Sequence, residues 1–265
     1  MKVKLSFLNI IKLIIGVSIL AVFYFVYNQQ QNKVTIYATG VMGSSGDLFL
    51  AVPYWVANSI NIGDRDISPS GTVNVEILDK ESYEGGSHGK HVILKMKLNL
   101  HRDRNGKYYY RNQQLKVNVW VELTLGDVSE KVYITYLNTK QANYPKQKLR
   151  ITVKKNSEEM YIADNLSIND EMRNDKGEVL VKIINKTTSP AIIKSYSDKG
   201  ELTLFKDPAR RDIELTIDII ATRKEGLDYF EELRKIRVNE KINLFFNYVT
   251  LWDGIITSVK ELDGQ

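Results

Sequence analysis

Ala57–Ile77 reads ANSINIGDRDISPSGTVNVEI, and Ala163–Ile183 reads ADNLSINDEMRNDKGEVLVKI. At a constant offset of 106 residues (Ala57 to Ala163), Ile60, Ile62, Asp64, Gly71, Val73, Val75 and Ile77 fall on Leu166, Ile168, Asp170, Gly177, Val179, Val181 and Ile183. A second block recurs at an offset of 121 (Leu115 to Ile236). Leu115, Val117, Asn118, Val121 and Leu123 fall on Ile236, Val238, Asn239, Ile242 and Leu244, while Tyr108 and Tyr109 fall on Tyr229 and Phe230. Apolar spacing kept without gaps over such lengths marks a structural unit present twice. It specifies an architecture and carries no chemistry.

Each copy also divides in two. Ile60-Asn-Ile62-Gly63 and Leu115-Lys-Val117-Asn118 are matched by Leu166-Ser-Ile168-Asn169 and Ile236-Arg-Val238-Asn239. Gly and Asn enter the left-handed backbone region at least cost, so the fourth position of each motif reads as a turn with positive φ. Asp64 and Asp170 follow two of these turns, and the expected role is acceptance of local backbone N–H groups, not a catalytic carboxylate pair with Asp66.

The rest of the chain alternates apolar and polar residues at period two. This holds over Lys33–Thr39, Gly71–Ile77, Val92–Leu100, Lys116–Leu123, Lys131–Leu137, Leu149–Lys154 and Ile213–Ile219, as half-buried strands do. Short helices are expected at Trp55–Ser59, Met160–Asn165 and Gly226–Lys235, the last with Leu227, Phe230 and Leu233 at helical spacing. The predicted fold is mainly β: an N-terminal transmembrane helix, then two tandem, duplicated, barrel-like domains with short helices. Closure into barrels would remove exposed sheet edges. The expected divisions are an anchor over 1–28, a first β domain over 33–138, a polar linker over 139–147 and a second β domain over 148–263. Gly40–Pro53 and Thr188–Lys206 read as insertions, one in each copy.

The anchor rests on Phe7–Tyr27, almost wholly apolar and without charge from Leu13 onward. About 20 apolar residues cross a bilayer as a helix. Lys2 and Lys4 precede the run, which predicts a cytoplasmic N-terminus and an extracytoplasmic body at the cell membrane. No small-residue cleavage site separates the run from Gln29-Gln-Gln31, so an uncleaved anchor is expected over a signal peptide. The formal net charge is +5, and removing Lys2, Lys4 and Lys12 leaves +2 for the body, too little to argue for nucleic acid. Hydrophobic residues make up 43 %, enough for a core, and there is no cysteine, so no disulfide, thiol nucleophile or thiolate metal site.

With the apolar N-terminal helix and the strand after it, Val56-Ala-Asn-Ser-Ile-Asn-Ile-Gly-Asp64 followed by Gly71-Thr-Val-Asn-Val75 resembles the bacterial membrane-anchored domain of unknown function 4330. The resemblance covers the anchor and about half of the first copy; the second echoes it with Asn169 in place of Gly63. It implies a single N-terminal anchor and no catalytic residues.

No nucleophile elbow, phosphate loop, zinc-protease or dinucleotide motif occurs, and Gly43-Ser-Ser-Gly46 lacks the lysine of a phosphate loop. No cofactor, no metal and no enzymatic activity are expected. His88 and His91 read as solvated loop residues, and His101 lies a whole strand away, roughly 30 Å at 3.3 Å per residue, too far to share a metal. The most unusual surface segment is His101–Arg111, HRDRNGKYYYR, with Asn105-Gly106 as a hairpin turn. Arg102, Arg104, Lys107, Arg111 and Tyr110 are its candidate polymer-binding residues, since cations attract anionic groups and tyrosines stack on rings. Packing of Tyr108 and Tyr109 into the core, as for Tyr229 and Phe230, is the competing account. The expected function is a membrane-anchored scaffold or partner-binding protein of the bacterial cell envelope, with partners among envelope proteins or further copies of itself. The alternative is an accessory protein that binds anionic surface polysaccharide during export or assembly.

Overall fold

The computed structural model describes residues 14–22, 24, 33–43, 51–69, 71–85, 89–196, 200 and 202–262. His88, Ser44–Gly46 and the remainder of the Phe7–Tyr27 run lie outside the described residues. Residues 14–22 and 24 are helical, and their large apolar side chains are exposed, from 51 % at Ile19 to 71 % at Tyr24. Among the described residues no helix is long and apolar enough to cross a membrane.

The body is mainly β. In chain order come β1 (Lys33–Met42), β2 (Val52–Pro53), α1 (Tyr54–Ser59), β3 (Arg65–Ile67), β4 (Val73–Glu84), β5 (Gly89–Arg102), β6 (Tyr108–Tyr110), β7 (Gln113–Leu115), β8 (Trp120–Leu125) and β9 (Val128–Asn138). Then follow β10 (Lys146–Glu159), α2 (Met160–Asn165), β11 (Glu171–Arg173), β12 (Val179–Tyr196), β13 (Leu202–Lys224), β14 (Leu227–Phe230), β15 (Arg234–Lys235), β16 (Lys241–Phe245) and β17 (Thr250–Glu261). One sheet runs β3-β4-β5-β1-β9-β8, with β6 and β7 extending from β5 and β2 pairing β5. The other runs β11-β12-β13-β10-β17-β16, with β14 and β15 extending from β13. The two orders correspond strand for strand, and each sheet curls into a barrel or half-barrel. Two compact units result: Met1–Val41, Ile60–Lys80 and Leu94–Ala142 form the first, and Met42–Ser59, Glu81–Ile93 and Asn143–Gln265 the second. The adjoining ends of β4 and β5, with β2 and α1, therefore belong to the second unit.

All four predicted turns take the left-handed conformation, with φ of 92° at Gly63, 65° at Asn118, 76° at Asn169 and 70° at Asn239. Each turn is sewn to an isoleucine by two backbone bonds. Gly63 donates to Ile77 (2.8 Å) and Ile77 to Asp64 (2.9 Å); Asn118 to Ile134 (2.8 Å) and Ile134 to Val119 (2.9 Å). Asn169 donates to Ile183 (2.9 Å) and Ile183 to Asp170 (2.9 Å); Asn239 to Ile256 (2.8 Å) and Ile256 to Glu240 (2.9 Å). Of the two apolar residues in each motif, the first is buried (Ile60, Leu115, Leu166, Ile236) and the second is exposed (Ile62, Val117, Ile168, Val238). Asp64 accepts the Asn61 N–H and Asp170 the Ser167 N–H, both at 2.7 Å, as turn carboxylates should. Lys80 donates to the Ile60 carbonyl, and Lys186 to the carbonyls of Ala163 and Leu166, closing the chain ends after the two short helices.

Two local expectations are corrected. Gly226–Lys235 is not a helix but the β14–β15 hairpin, in which Phe230 is buried while Leu227 is exposed. The helical spacing was incidental; pairing with β13 (Thr222 with Tyr229) decides the conformation. The tyrosine register also moves by one. His101 pairs with Tyr109 as Thr222 pairs with Tyr229, so Tyr109 and Tyr110, not Tyr108 and Tyr109, correspond to Tyr229 and Phe230. The slip arises because the turn after β14 has three residues (231–233) and the turn after β6 has two (111–112).

Side-chain volume is exchanged between the units at one packed position. A Cβ at Gly40 would overlap the Val132 side chain, and one at Gly254 would come within 2.5 Å of Val153 Cγ1. Gly on β1 faces Val on β9 in the first unit; Val on β10 faces Gly on β17 in the second. Gly40→Ala is expected to destabilise by about 1–3 kcal/mol, the usual cost of overpacking. Adding Val132→Ala should recover part of that loss, giving a favourable coupling in a double-mutant cycle read by urea denaturation. Strict additivity would refute the exchange.

Candidate functional site

The outward-facing residues of the first sheet build a cleft of about 620 Å³. Side chains alternate along a strand, so Asn99 and His101 on β5 point away from the core side of Leu98 and Leu100. Asn74 on β4 and Lys33 on β1 join them, and Tyr109, Arg111 and Asn112 close one end. Asn99 is fixed by accepting from Thr35 Oγ1 (3.1 Å) and donating to the Val73 carbonyl (2.9 Å).

The hairpin turn forms as expected. Asp103 accepts the N–H groups of Asn105 (2.9 Å) and Lys107 (2.8 Å), and Gly106 takes a φ of 81°. Arg102, Arg104, Lys107 and Arg111 are all exposed, but the structure does not bring them together. Arg102 pairs across the ladder with Tyr108 on the face opposite His101, its guanidinium 6.0 Å from the Tyr108 ring centre. Arg111 alone of the four lines the cleft, beside Lys33. Tyr110 is 4 % exposed, and its hydroxyl donates to the buried carboxylate of Asp66. The core end of the hairpin thus claims Tyr110, which reaches the cleft lining with only 4 % of its surface exposed, while the half-buried Tyr109 presents the larger aromatic surface there. Burial, together with the bond to Asp66, pushes the Tyr110 hydroxyl pKa up. Arg111 donates to the second Asp66 oxygen at 2.5 Å, so one buried carboxylate orients both residues.

Nothing in the sequence pattern singles out Asp66, Lys33, Asn74, Asn99, His101 and Tyr109 together as a site. Period-two alternation along β5 was the available signal for Asn99 and His101; nothing local distinguishes Asp66 from the turn residue Asp64. His91, expected in a solvated loop, is a β5 residue with 2 % exposure, because the strand begins two residues earlier, at Gly89. Among the described residues no group of His, Asp and Glu is placed to hold a metal ion.

At the corresponding place in the second unit the chemistry differs. Met172 stands where Asp66 stands, Phe230 where Tyr110 stands, and Glu231 follows Phe230 as Arg111 follows Tyr110. Glu231 is 4 % exposed, and neither carboxylate oxygen meets a hydrogen-bond partner among the described residues. Its surroundings are acidic. Tyr83 bonds Glu81, its hydroxyl pKa is raised by burial and then by Glu81, and Glu231 and Glu232 add to that rise. Lys224 donates to Glu232 at 3.0 Å, leaving Arg234 as the charge that opposes the shift of Glu231. Comparison with models of known families, with curated proteins and with solved structures finds no match to this chain.

Burial raises the Glu231 pKa to about 7. The folded state then holds a proton that the unfolded state releases near pH 4.5, so this group's contribution falls as pH rises from about 4.5 and levels off above about 7. Glu231→Gln removes the titration. It is expected to stabilise at pH 8 by on the order of 3 kcal/mol, with little effect at pH 4. Urea unfolding at both pH values checks this.

Proposed function

We propose that the protein is a membrane-anchored, non-catalytic binding module of the bacterial cell envelope whose first-unit cleft takes an anionic, hydroxyl-rich polymer. The carrying observation is the convergence of Lys33, Arg111 and His101 with Tyr109, Asn74 and Asn99 on one open cleft of about 620 Å³. Cations meet carboxylate or phosphate groups, carboxamides meet hydroxyls, and the ring offers an apolar face. In this reading Phe7–Tyr27 is the single-pass anchor, with the N-terminus cytoplasmic. The run of exposed apolar side chains from Ile14 to Tyr24 supports it, because water is a poor environment for such a helix. In this reading the two sheets descend from one duplicated sequence, which the sequence offsets and the matching strand orders support, and the likeness to domain 4330 belongs to the same proposal.

A second reading, partner binding as a scaffold, is favoured by the arm formed by the far ends of β12 and β13. Ile192, Ile193, Leu202, Leu204 and Phe205 are 46–58 % exposed along it, on both faces of a two-stranded ribbon. The segment expected as an insertion over Thr188–Lys206 contributes most of it.

Retention of the full chain on immobilised polygalacturonate separates the readings. Binding should weaken steeply as salt rises above about 0.1 M, where screening acts within about 10 Å. Lys33→Ser with His101→Ser, both at exposed positions lining the cleft, should lower affinity about tenfold with unchanged melting temperature. Retention insensitive to both salt and these substitutions would discard the polymer reading and leave the scaffold.

A further inference from the structure

A second cleft, of about 560 Å³, lies within the second unit. Tyr54 of α1, Tyr161 of α2, Tyr248 in the β16–β17 turn and Trp252 on β17 surround it, with Glu84 and Asn247 as polar lining. The aromatics are not there to fill a core: Tyr248 is 87 % exposed, Tyr161 59 %, Trp252 47 % and Tyr54 39 %. Nor does the hairpin demand them. In the first unit the corresponding β8–β9 turn is Gly126-Asp127, a tight connection between Leu125 and Val128. In the second unit Phe246 closes an equally tight turn on Val249 (3.0 Å), yet Asn247 and Tyr248 occupy it.

The rings are held and the polar groups are set. Trp252 packs at 85° against Phe245, with ring centres 5.3 Å apart, and still leaves 47 % of its surface exposed to another occupant. The Tyr54 hydroxyl donates to Glu84 Oε2 at 2.7 Å, fixing the carboxylate at the cleft wall. No Lys or Arg is among the described lining residues. Lys90 lies 5.9 Å over the Tyr54 ring but is held by Asp175 at 2.5 Å. An anionic ligand would meet Glu84 with nothing to neutralise it.

We propose that this cleft is a saccharide subsite for uncharged pyranose rings with equatorial substituents. The flat C–H face of such a ring lies on Tyr248 and Trp252, against the negative face of the aromatic quadrupole. Its hydroxyls donate to Glu84 and exchange hydrogen bonds with the Asn247 carboxamide. The openness of the cleft and the strong exposure of its rings suit a chain passing over a platform rather than a small cation enclosed in a cage. The site lies in the other unit and takes uncharged rings where the first-unit cleft takes anionic ones, so the two binding tests fail or succeed independently.

Calorimetric titration of the full chain with cellotetraose and with tetra-N-acetylchitotetraose tests the proposal. Saturable binding of at least one is expected, weakened about tenfold or more by Tyr248→Ala and by Trp252→Ala, and only partly by Glu84→Gln. Because Tyr248 is so exposed, its variant should keep the parent melting temperature and serves even if Trp252→Ala folds poorly. Absence of saturable heat with both sugars, or binding unchanged in Tyr248→Ala, overturns the subsite. Saturation by tetramethylammonium that Glu84→Gln abolishes, without sugar binding, would assign the cleft to an organic cation and overturn it equally.

Discussion

The fold depends on one backbone constraint met four times. A chain leaving a buried apolar residue must reverse through a left-handed turn and return two hydrogen bonds to an isoleucine in the facing strand. Left-handed backbone costs an ordinary L-residue about 1–2 kcal/mol, and the paired amides together repay a comparable amount. Gly63, Asn118, Asn169 and Asn239 reduce that cost at its source. The isoleucines Ile77, Ile134, Ile183 and Ile256 lie on β4, β9, β12 and β17, so the turns tie successive hairpins to the strands that run through each sheet.

The same frame carries different chemistry in its two units. Beneath the first hairpin, Asp66 is buried and paired with Tyr110 and Arg111, which sets Arg111 at the cleft beside Lys33. At the corresponding positions of the second, Met172 and Phe230 are buried and apolar, and Glu231 is buried without a cation bonded to it among the described residues. Removing one member of a buried charged pair is costly unless the other changes as well. Here all three positions differ together, and the residual cost is borne by a carboxyl group that titrates near neutrality. The Gly40–Val132 and Val153–Gly254 exchange follows the same logic in volume rather than charge.

Much of the fold was legible because it is written in short-range rules. Positive φ at Gly63, Asn118, Asn169 and Asn239 follows from residue type, α1 and α2 fall where expected, and strand alternation located most of both sheets. Gly226–Lys235 departs from its helical spacing because three apolar residues over ten positions constrain the backbone weakly, and long-range pairing with β13 overrides them. His91 departs from the loop expectation because the strand extends beyond its alternating part to Gly89. The candidate site was legible only in outline. Charge and tyrosine content marked His101–Arg111, but which side of the hairpin each residue takes depends on a register that a one-residue turn difference shifts. Lys33, Asn74 and Asn99 come from other strands, and their convergence is a property of the sheet order.

The central claim, that left-handed turns bonded to isoleucines hold each sheet together, is tested most directly at Asn169 by urea denaturation of Asn169→Gly and Asn169→Val. Gly should leave stability within about 0.5 kcal/mol of the parent, since it enters this region without steric cost. Val should lower it by about 1–2 kcal/mol or more, because a β-branched side chain is poorly tolerated there. Equal stability of the two variants would contradict the account.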